Sequence, residues 1–280
     1  MTFSIVAFDS QDQSWGVAVA SKFPAVGAVV PWARAGAGAV ATQSFANTSY
    51  APRGLDLMAS GLSAEETLAK LLADDPEKDL RQVGLVDARG GSASFTGPGC
   101  FAWAGGVVGP AYACQGNILV GEQVVKELER GFLETKGDLP ARLHAALLAG
   151  DRAGGDRRGR QSAALYVVKK DAGYAGFNDR WMDYRVDDHP DPVPRLGELI
   201  EMHRLYFGKS EEGQRVELTG DALASMTAIL NRQGYMKESV SFREAFWAFV
   251  GNENFEERAD PEAKWIDAPV LDFLVKKFGK

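Results

Sequence analysis

The sequence predicts an α+β protein, a four-layer α-β-β-α sandwich of two antiparallel sheets followed by a small all-helical module. Three observations predict it. Strand patterns arrive as hairpins instead of alternating with helices, which implies antiparallel pairing. Helical runs are grouped between those hairpins, where they can cover the outer faces of two stacked sheets. Beyond residue 210 the strand patterns stop and short amphipathic runs replace them.

The first hairpin is explicit. Phe3, Ile5 and Ala7 alternate with Ser4, Val6 and Phe8, the polar run Asp9–Ser14 turns the chain, and Trp15–Ser21 returns as a second strand. Gly27–Trp32 and Gly38–Gln43 flank Ala33–Ala37 and read as another hairpin, whose small residues suit strands covered closely on both faces. A helix starts near Pro52 and breaks after Gly61, with Ser63 as the cap of the next run. Arg81–Asp87 and Ser92–Gly97 form a third hairpin around Ala88–Gly91. Tyr112–Gln115 is a short strand entering a helix from about Gly121 to Thr135, and Leu139–Ala149 is a second helix with Pro140 in its first turn. Ser162–Lys169 and Trp181–Val186 are strands, and Asp191–Phe207 is a helix. The polar stretch Lys209–Gln214 reads as a linker. Ala222–Gly234, Ser241–Phe249 and Val270–Phe278 then form three helical runs with no strand between them. These patterns divide the chain into a domain at 1–210 and a small helical domain at 215–280.

Composition excludes several classes of function. Thirty-eight acids against 31 bases give a formal charge of −7, which disfavours nucleic acid as a partner. No stretch approaches the roughly 20 apolar residues that span a bilayer, and no basic leader with an apolar core opens the chain, so a cytoplasmic protein that does not engage membranes is expected. Two cysteines in 280 residues are no disulfide framework. Three histidines, none with zinc-ligand spacing, argue against a histidine metal site. Asp183, Asp187, Asp188 and Asp191 surround His189, but Pro190 and Pro192 make this a strand-to-helix corner with Asp191 as a cap more readily than a cation site. Phosphate-loop, dinucleotide and Gly-x-Ser-x-Gly patterns are missing in credible contexts, so no cofactor is expected. Cys100 and Cys114 lie among apolar or small residues without a basic partner, as structural thiols do.

The second residue remains. A small residue after the initiator methionine generally permits removal of Met1, which would leave Thr2 with its own α-amine beside its hydroxyl. An α-amine titrates near ~7.7–8.0, so part of it is free base at neutral pH and can take the hydroxyl proton. Thr2 would be held by the strand that begins immediately after it. Thr42, Gln43 and Asn47 at one strand end, and Gln115, Gly116 and Asn117 at another, offer donors for an oxyanion. Gly154–Ser162 sets Asp156, Arg157 and Arg160 among glycines just before a strand, a pattern suited to a carboxylate ligand or to a structural salt-bridge turn.

Several segments carry a resemblance to a known family: Thr2–Ala7, Gly16–Lys22, Ala25–Ala33, Ala41–Gln43, Gln115–Asn117, Gly154–Ser162 and Val186–Pro192. Together they resemble the "domain of unknown function 1028" family of the N-terminal nucleophile (Ntn) hydrolase superfamily, over residues 1 to about 205. Residues 215–280 are similar to a small peptidoglycan-binding type of helical module. Lys22 stands where that family suggests arginine, keeping the cation and losing the planar fork. The resemblance implies the sandwich fold and a hydrolase reaction class but carries no settled substrate; with the arginine loop read as an anion site, the expectation is a hydrolase of a C–N bond in a small anionic substrate. Thr2 would be the nucleophile, Lys22 would tune its amine, and Asn117 or Gln43 would contact the oxyanion. Thr42 and the Asp156, Arg157 and Arg160 loop would bind substrate. A homo-oligomer is the expected assembly. The competing expectation is a non-catalytic ligand-binding or scaffold protein that keeps the fold.

Overall fold

The structure, a computed structural model, describes residues 2–208 and 210–279. The chain packs as two units, 1–200 and 201–280.

In the first unit the hairpin of β1 (Thr2–Asp9) and β2 (Ser14–Ser21) forms the centre of a six-stranded antiparallel sheet. β1 pairs on its far side with β8 (Tyr112–Asn117), which is flanked by the edge strand β7 (Gly105–Gly109). β2 pairs with β9 (Ser162–Lys169), and β10 (Arg180–Val186) closes the other edge. A second, four-stranded sheet runs β3 (Pro31–Arg34), β4 (Gly38–Ser44), β5 (Arg81–Asp87) and β6 (Ser92–Thr96) in order.

The strand period of two sorts these residues into layers. Phe3, Ile5 and Ala7 of β1 face Leu128 of α3 (Gln123–Glu134), Leu143 of α4 (Leu139–Arg152) and Leu196 of α5 (Pro192–Phe207) in one core. Val6 and Phe8 point the other way and join Val17, Val19, Ala39, Ala41 and Val86 between the sheets. Val40, Val83 and Leu85 pack under Tyr50, Leu55 and Met58 of α1 (Tyr50–Ala59) and Leu71 of α2 (Ala64–Ala73). This is the expected helix-sheet-sheet-helix order, and each such buried aliphatic side chain contributes roughly 1.5–3 kcal/mol. Ser63 and Glu66 close a reciprocal capping box at the start of α2, and Asp138 caps α4 with Pro140 in its first turn.

Two segments depart from the sequence reading. Gly27–Trp32 is not a strand: Val26–Ala28 is a 3-10 turn, and extended chain begins only at Pro31. Ala25 takes a left-handed conformation with φ 50°, and the amide of Val26 donates to Ser162 Oγ at 3.1 Å instead of to a neighbouring strand. Gly105–Gly109 carries no strand pattern of its own, yet it pairs residue by residue with β8.

The second unit takes in the last turns of α5, so the division falls upstream of the polar stretch after that helix; Lys209 lies outside the described residues. Its core joins Met226, Ile229 and Leu230 of α6 (Gly220–Arg232), Phe246 and Phe249 of α7 (Phe242–Asn252), and Leu274 of α8 (Ala268–Phe278). Leu205 and Tyr206 from the end of α5 pack on it, with Tyr206 stacked on Phe255 at 4.7 Å. The strandless reading needs correction: β11 (Arg215–Glu217) and β12 (Trp265–Asp267) form an antiparallel pair, and β12 lies between α7 and α8. Three-residue strands are too short for a period to show. Among the described residues no helix is long and apolar enough to cross a membrane.

Candidate active site

Thr2 opens β1 on the face that looks between the sheets, 5% exposed, and its hydroxyl lies 3.2 Å from that of Ser21 at the end of β2. Met1, and with it the expected removal of that residue, lies outside the described residues. The strands around Thr2 bring buried polar residues to the same layer, two of them from β8. Ser4, Gln43, Gln82, Gln115 and Asn117 are all within 1% of full burial.

Gln82 is the hub of this layer. Its Oε1 accepts from Gln43 Nε2 and from Asn117 Nδ2, each at 2.8 Å. Its Nε2 donates to Thr96 Oγ1 at 2.9 Å and to the carbonyls of Gly116 and Gly105 at 2.8 and 3.2 Å. Gln43 also donates to the carbonyl of Thr2 at 3.3 Å, and its Oε1 accepts from Ser4 Oγ at 2.7 Å. Ser4 Oγ in turn accepts from Gln115 Nε2 at 2.7 Å. Gln115 Oε1 has no partner among the described residues and sits where a Cβ on Gly84 would come within 2.1 Å, so only glycine leaves room for that amide. Asn117 pairs with Thr2 across β1 and β8, and one N–H of its amide has no partner among the described residues. Gln43 therefore fixes backbone and side chains, whereas Asn117 keeps a donor available.

Gln82 was not among the residues the sequence singled out. The signal for it was local: a polar side chain on the inner face of an otherwise apolar strand, directly across from Gln43. Thr42, one residue before Gln43, faces the opposite side of β4, and its hydroxyl donates to the carbonyl of Asn47 at 3.2 Å.

On the helix side of the same strand ends lies a cavity of about 410 Å³, lined by Phe3, Ala20, Ser21, Val120, Asp151, Gly154, Asp156, Arg157, Gly159, Arg160, Pro190 and Pro192. Thr2 is not on this wall, but both its chain neighbour Phe3 and its hydrogen-bond neighbour Ser21 are. The glycine-rich loop thus lies beside the start of β1, and its charged residues pair as follows. Asp156 is buried and accepts from the amides of Lys22 and Arg158, each at 2.9 Å, and from the Arg158 guanidinium at 3.0 Å. Arg160 donates to Asp151 at 2.7 Å and reaches Asp191 at 3.4 Å; hydrogen bonding to Asp151 holds its guanidinium above the ordinary arginine value. Arg157 is exposed, and its guanidinium has no partner among the described residues. Lys22 enters the site through its amide, and its side chain is exposed.

Other candidates fall into local structure. Asp183 pairs with Arg180 and Arg185, Asp188 accepts from Gln161, and His189 Nδ1 accepts from the amide of Asp191. Among the described residues no group of three or more histidine, cysteine or acidic side chains is placed to hold a metal. Cys114 is wholly buried and its thiol is pushed up by desolvation and then by Glu129, the reverse of nucleophile activation.

The family model described as "Family of unknown function (DUF1028)" matches residues 2–196. Residues 206–274 match a model described as "Putative peptidoglycan binding domain". Among solved structures, a DUF1028 protein from Silicibacter pomeroyi is similar over 72% of this chain and 89% of its own, with 27% identity and a TM-score of 0.66. Anbu (ancestral beta-subunit) from Yersinia bercovieri aligns over 72% of this chain and 96% of its own, at 14% identity and a TM-score of 0.31, too slight a likeness to bear on the fold. No curated protein matches the chain.

Proposed function

The chain belongs to the DUF1028 family, and we propose that it is an Ntn-type hydrolase of a C–N bond in a small anionic substrate, with Thr2 as the nucleophile once Met1 is removed. The observation that carries the reading is the position of Thr2: first in a central strand, hydroxyl to hydroxyl with Ser21, next to a cavity that holds an unpaired arginine. In this reaction the free α-amine takes the proton from Thr2 Oγ1 as that oxygen attacks the amide carbon. The tetrahedral oxyanion receives the remaining N–H of Asn117, and the proton passes to the departing amine. Water then cleaves the resulting ester with the same amine as base. Gln43 and Gln82 are positioning residues, because their polar atoms bond within the protein and set the amide plane of Asn117. Lys22 would act on the amine through space from the end of β2.

The test combines intact mass with covalent labelling. Purified protein is expected to lack Met1 and to gain one adduct from a β-lactone, located on Thr2 by peptide mapping. Thr2→Ala should take no label and should lose roughly 10³-fold or more of any amide hydrolysis, as removal of a nucleophile does. N-acyl amino acids are the first substrates to screen. Peptidoglycan stem peptides join them, because they carry amides and carboxylates and the model matched by 206–274 names that polymer. Retention of Met1 ends the proposal, since the chain then has no free Thr2 amine.

One observation favours a second reading, a non-catalytic ligand-binding protein: Thr2 is almost fully buried and does not line the cavity. That reading predicts ligand binding without labelling, even in protein that lacks Met1.

A further inference from the structure

Four charged side chains line the 410 Å³ cavity: Asp151, Asp156, Arg157 and Arg160. Three of them are matched inside the protein. Asp156 is neutralised by the Arg158 guanidinium and two backbone amides, and Arg160 lies between Asp151 and Asp191. Arg157 is different. Its backbone N–H is tied to the carbonyl of Ile118 at 3.1 Å, which fixes the start of its side chain, while the guanidinium has no acid within reach among the described residues.

Apart from the Ser21 hydroxyl and the loop glycines Gly154 and Gly159, the rest of the wall is built from the apolar side chains of Phe3, Ala20, Val120, Pro190 and Pro192. The loop lies directly on that wall. A Cβ at Gly154 (φ 112°) would come within 2.6 Å of Val120 Cγ2, and one at Gly155 (φ 51°) within 3.0 Å of Phe3 Cε1. One cation and one apolar surface therefore share a single cavity.

We infer that the cavity binds a monocarboxylate with an apolar body, and that Arg157 is the guanidinium that holds the carboxylate, while Arg158 and Arg160 brace the loop. A planar guanidinium matches one carboxylate bidentately. A second anionic group would lie beside Asp151 or Asp156 with no unmatched cation on the wall to receive it, so dicarboxylates and phosphate are disfavoured. The inference deepens the proposed function by naming its substrate class, and it rests on that reading only for the bond that is cut.

The experiment is calorimetric titration of the full chain carrying Thr2→Ala, with benzoate, benzamide, phthalate and inorganic phosphate as probes. Benzoate is expected to bind saturably and more tightly than the other three. Arg157→Ala should weaken benzoate at least about tenfold, the loss of a hydrogen bond to a charged group. Arg157→Lys should recover part of that loss, and Arg34→Ala, at the exposed end of β3 away from the cavity, should change little. Because Arg157 is exposed and unpaired, its alanine variant should melt with the parent, which a thermal scan checks. Failure of benzoate to bind at millimolar concentration overturns the inference. So does phosphate, phthalate or benzamide binding as tightly as benzoate, or an Arg157→Ala variant of unchanged affinity. Labelling of Thr2 is read separately on the unsubstituted chain, so either result can fail while the other stands.

Discussion

Between the sheets of the first unit the buried polar groups are neutral amides and hydroxyls; in the second unit the buried polar group is an ion pair. Arg258 and Asp267 are 4% and 0% exposed at their side chains. The Nε of Arg258 donates to Asp267 Oδ2, its Nη1 donates to the carbonyls of Arg204 and Leu205 at 2.8 and 3.1 Å, and Asp267 Oδ1 accepts from Ser210 at 2.6 Å. Each carboxylate oxygen has its donor, so this cluster is closed and braces β12 against the end of α5. The amide layer around Gln82 is not closed. Gln115 Oε1 has no partner among the described residues, Asn117 keeps an N–H, and the layer ends at the Thr2 and Ser21 hydroxyls. Saturated polar clusters hold shape; an open one at strand ends has groups left to give a ligand. On the proposed function, that difference would put the chemistry in the first unit and leave the buried ion pair of the second as support.

The sharpest way to break the comparison is to remove half of the ion pair. Asp267→Ala leaves Arg258 buried and uncompensated, which costs about 3–5 kcal/mol, read as a lower denaturation midpoint of the second unit. Benzoate affinity at the first unit should not move. A loss below about 1 kcal/mol would mean that the pair is not the brace its closure suggests.

Gln82→Leu comes next. It orphans one N–H of Gln43 and one of Asn117 in a fully buried layer, at roughly 1–3 kcal/mol for each stranded group, offset in part by the added apolar contact. Denaturant unfolding should show a loss of on the order of 2 kcal/mol, and any hydrolysis should fall because Asn117 is no longer oriented. Unchanged activity would remove Gln82 and Asn117 together from the site.

Much of this arrangement was legible in the residues. The alternation in Phe3–Phe8, the hairpin Arg81–Asp87 with its return, Ser63 as a cap and Pro140 in a first turn all depend on neighbours in sequence, and all appear in the structure. Gly105–Gly109 did not read as a strand because three glycines in five residues carry no strand preference; only its register against Tyr112–Asn117 makes it one. The site followed the same rule. The glycine-rich loop beside the start of β1 was readable as a candidate anion site. Which arginine it leaves unpaired was not, because Asp156 turns back to Arg158 and Arg160 reaches Asp151 on α4. Gln82 was visible as a polar residue in a strand, but the meaning of its amide depends on Gln43, Asn117 and Thr96 from three other strands.

A smaller effect belongs to Asp75, in the turn between α2 and β5. Asp75 accepts from Arg81 Nε, Tyr50 Oη and the amide of Glu77, each at 2.9 Å, and from Asn47 Nδ2 at 3.0 Å. The Arg81 hydrogen bond foremost holds its carboxyl well below the usual range, against an opposing push from burial. A depressed folded pKa means that the unfolded chain binds the proton more readily. The stabilisation is therefore complete above the unfolded value near ~3.9 and is lost as pH falls toward the folded one. Unfolding midpoints of the first unit should decline below about pH 5, and Asp75→Asn should flatten that decline at the cost of lower stability at neutral pH. An unaltered acid slope in the variant would assign the acid sensitivity to other carboxylates.

The smallest effect calibrates the rest. Arg34 and Asp56 form an ion pair of 2.8 Å, as short as many of the buried contacts, but their side chains are 46% and 70% exposed. Water solvates both charges, salt screens them, and two side chains must be held still to keep the contact, so such a pair contributes roughly 0–1 kcal/mol. Arg34→Ala should therefore shift the denaturation midpoint far less than Asp267→Ala despite the similar geometry, and half-molar salt should shrink the Arg34→Ala shift further while leaving that of Asp267→Ala nearly unchanged. If the two substitutions cost the same, burial is not what separates the closed cluster from surface pairing. The contrast between a bracing second unit and a chemically open first one would then lose its physical basis.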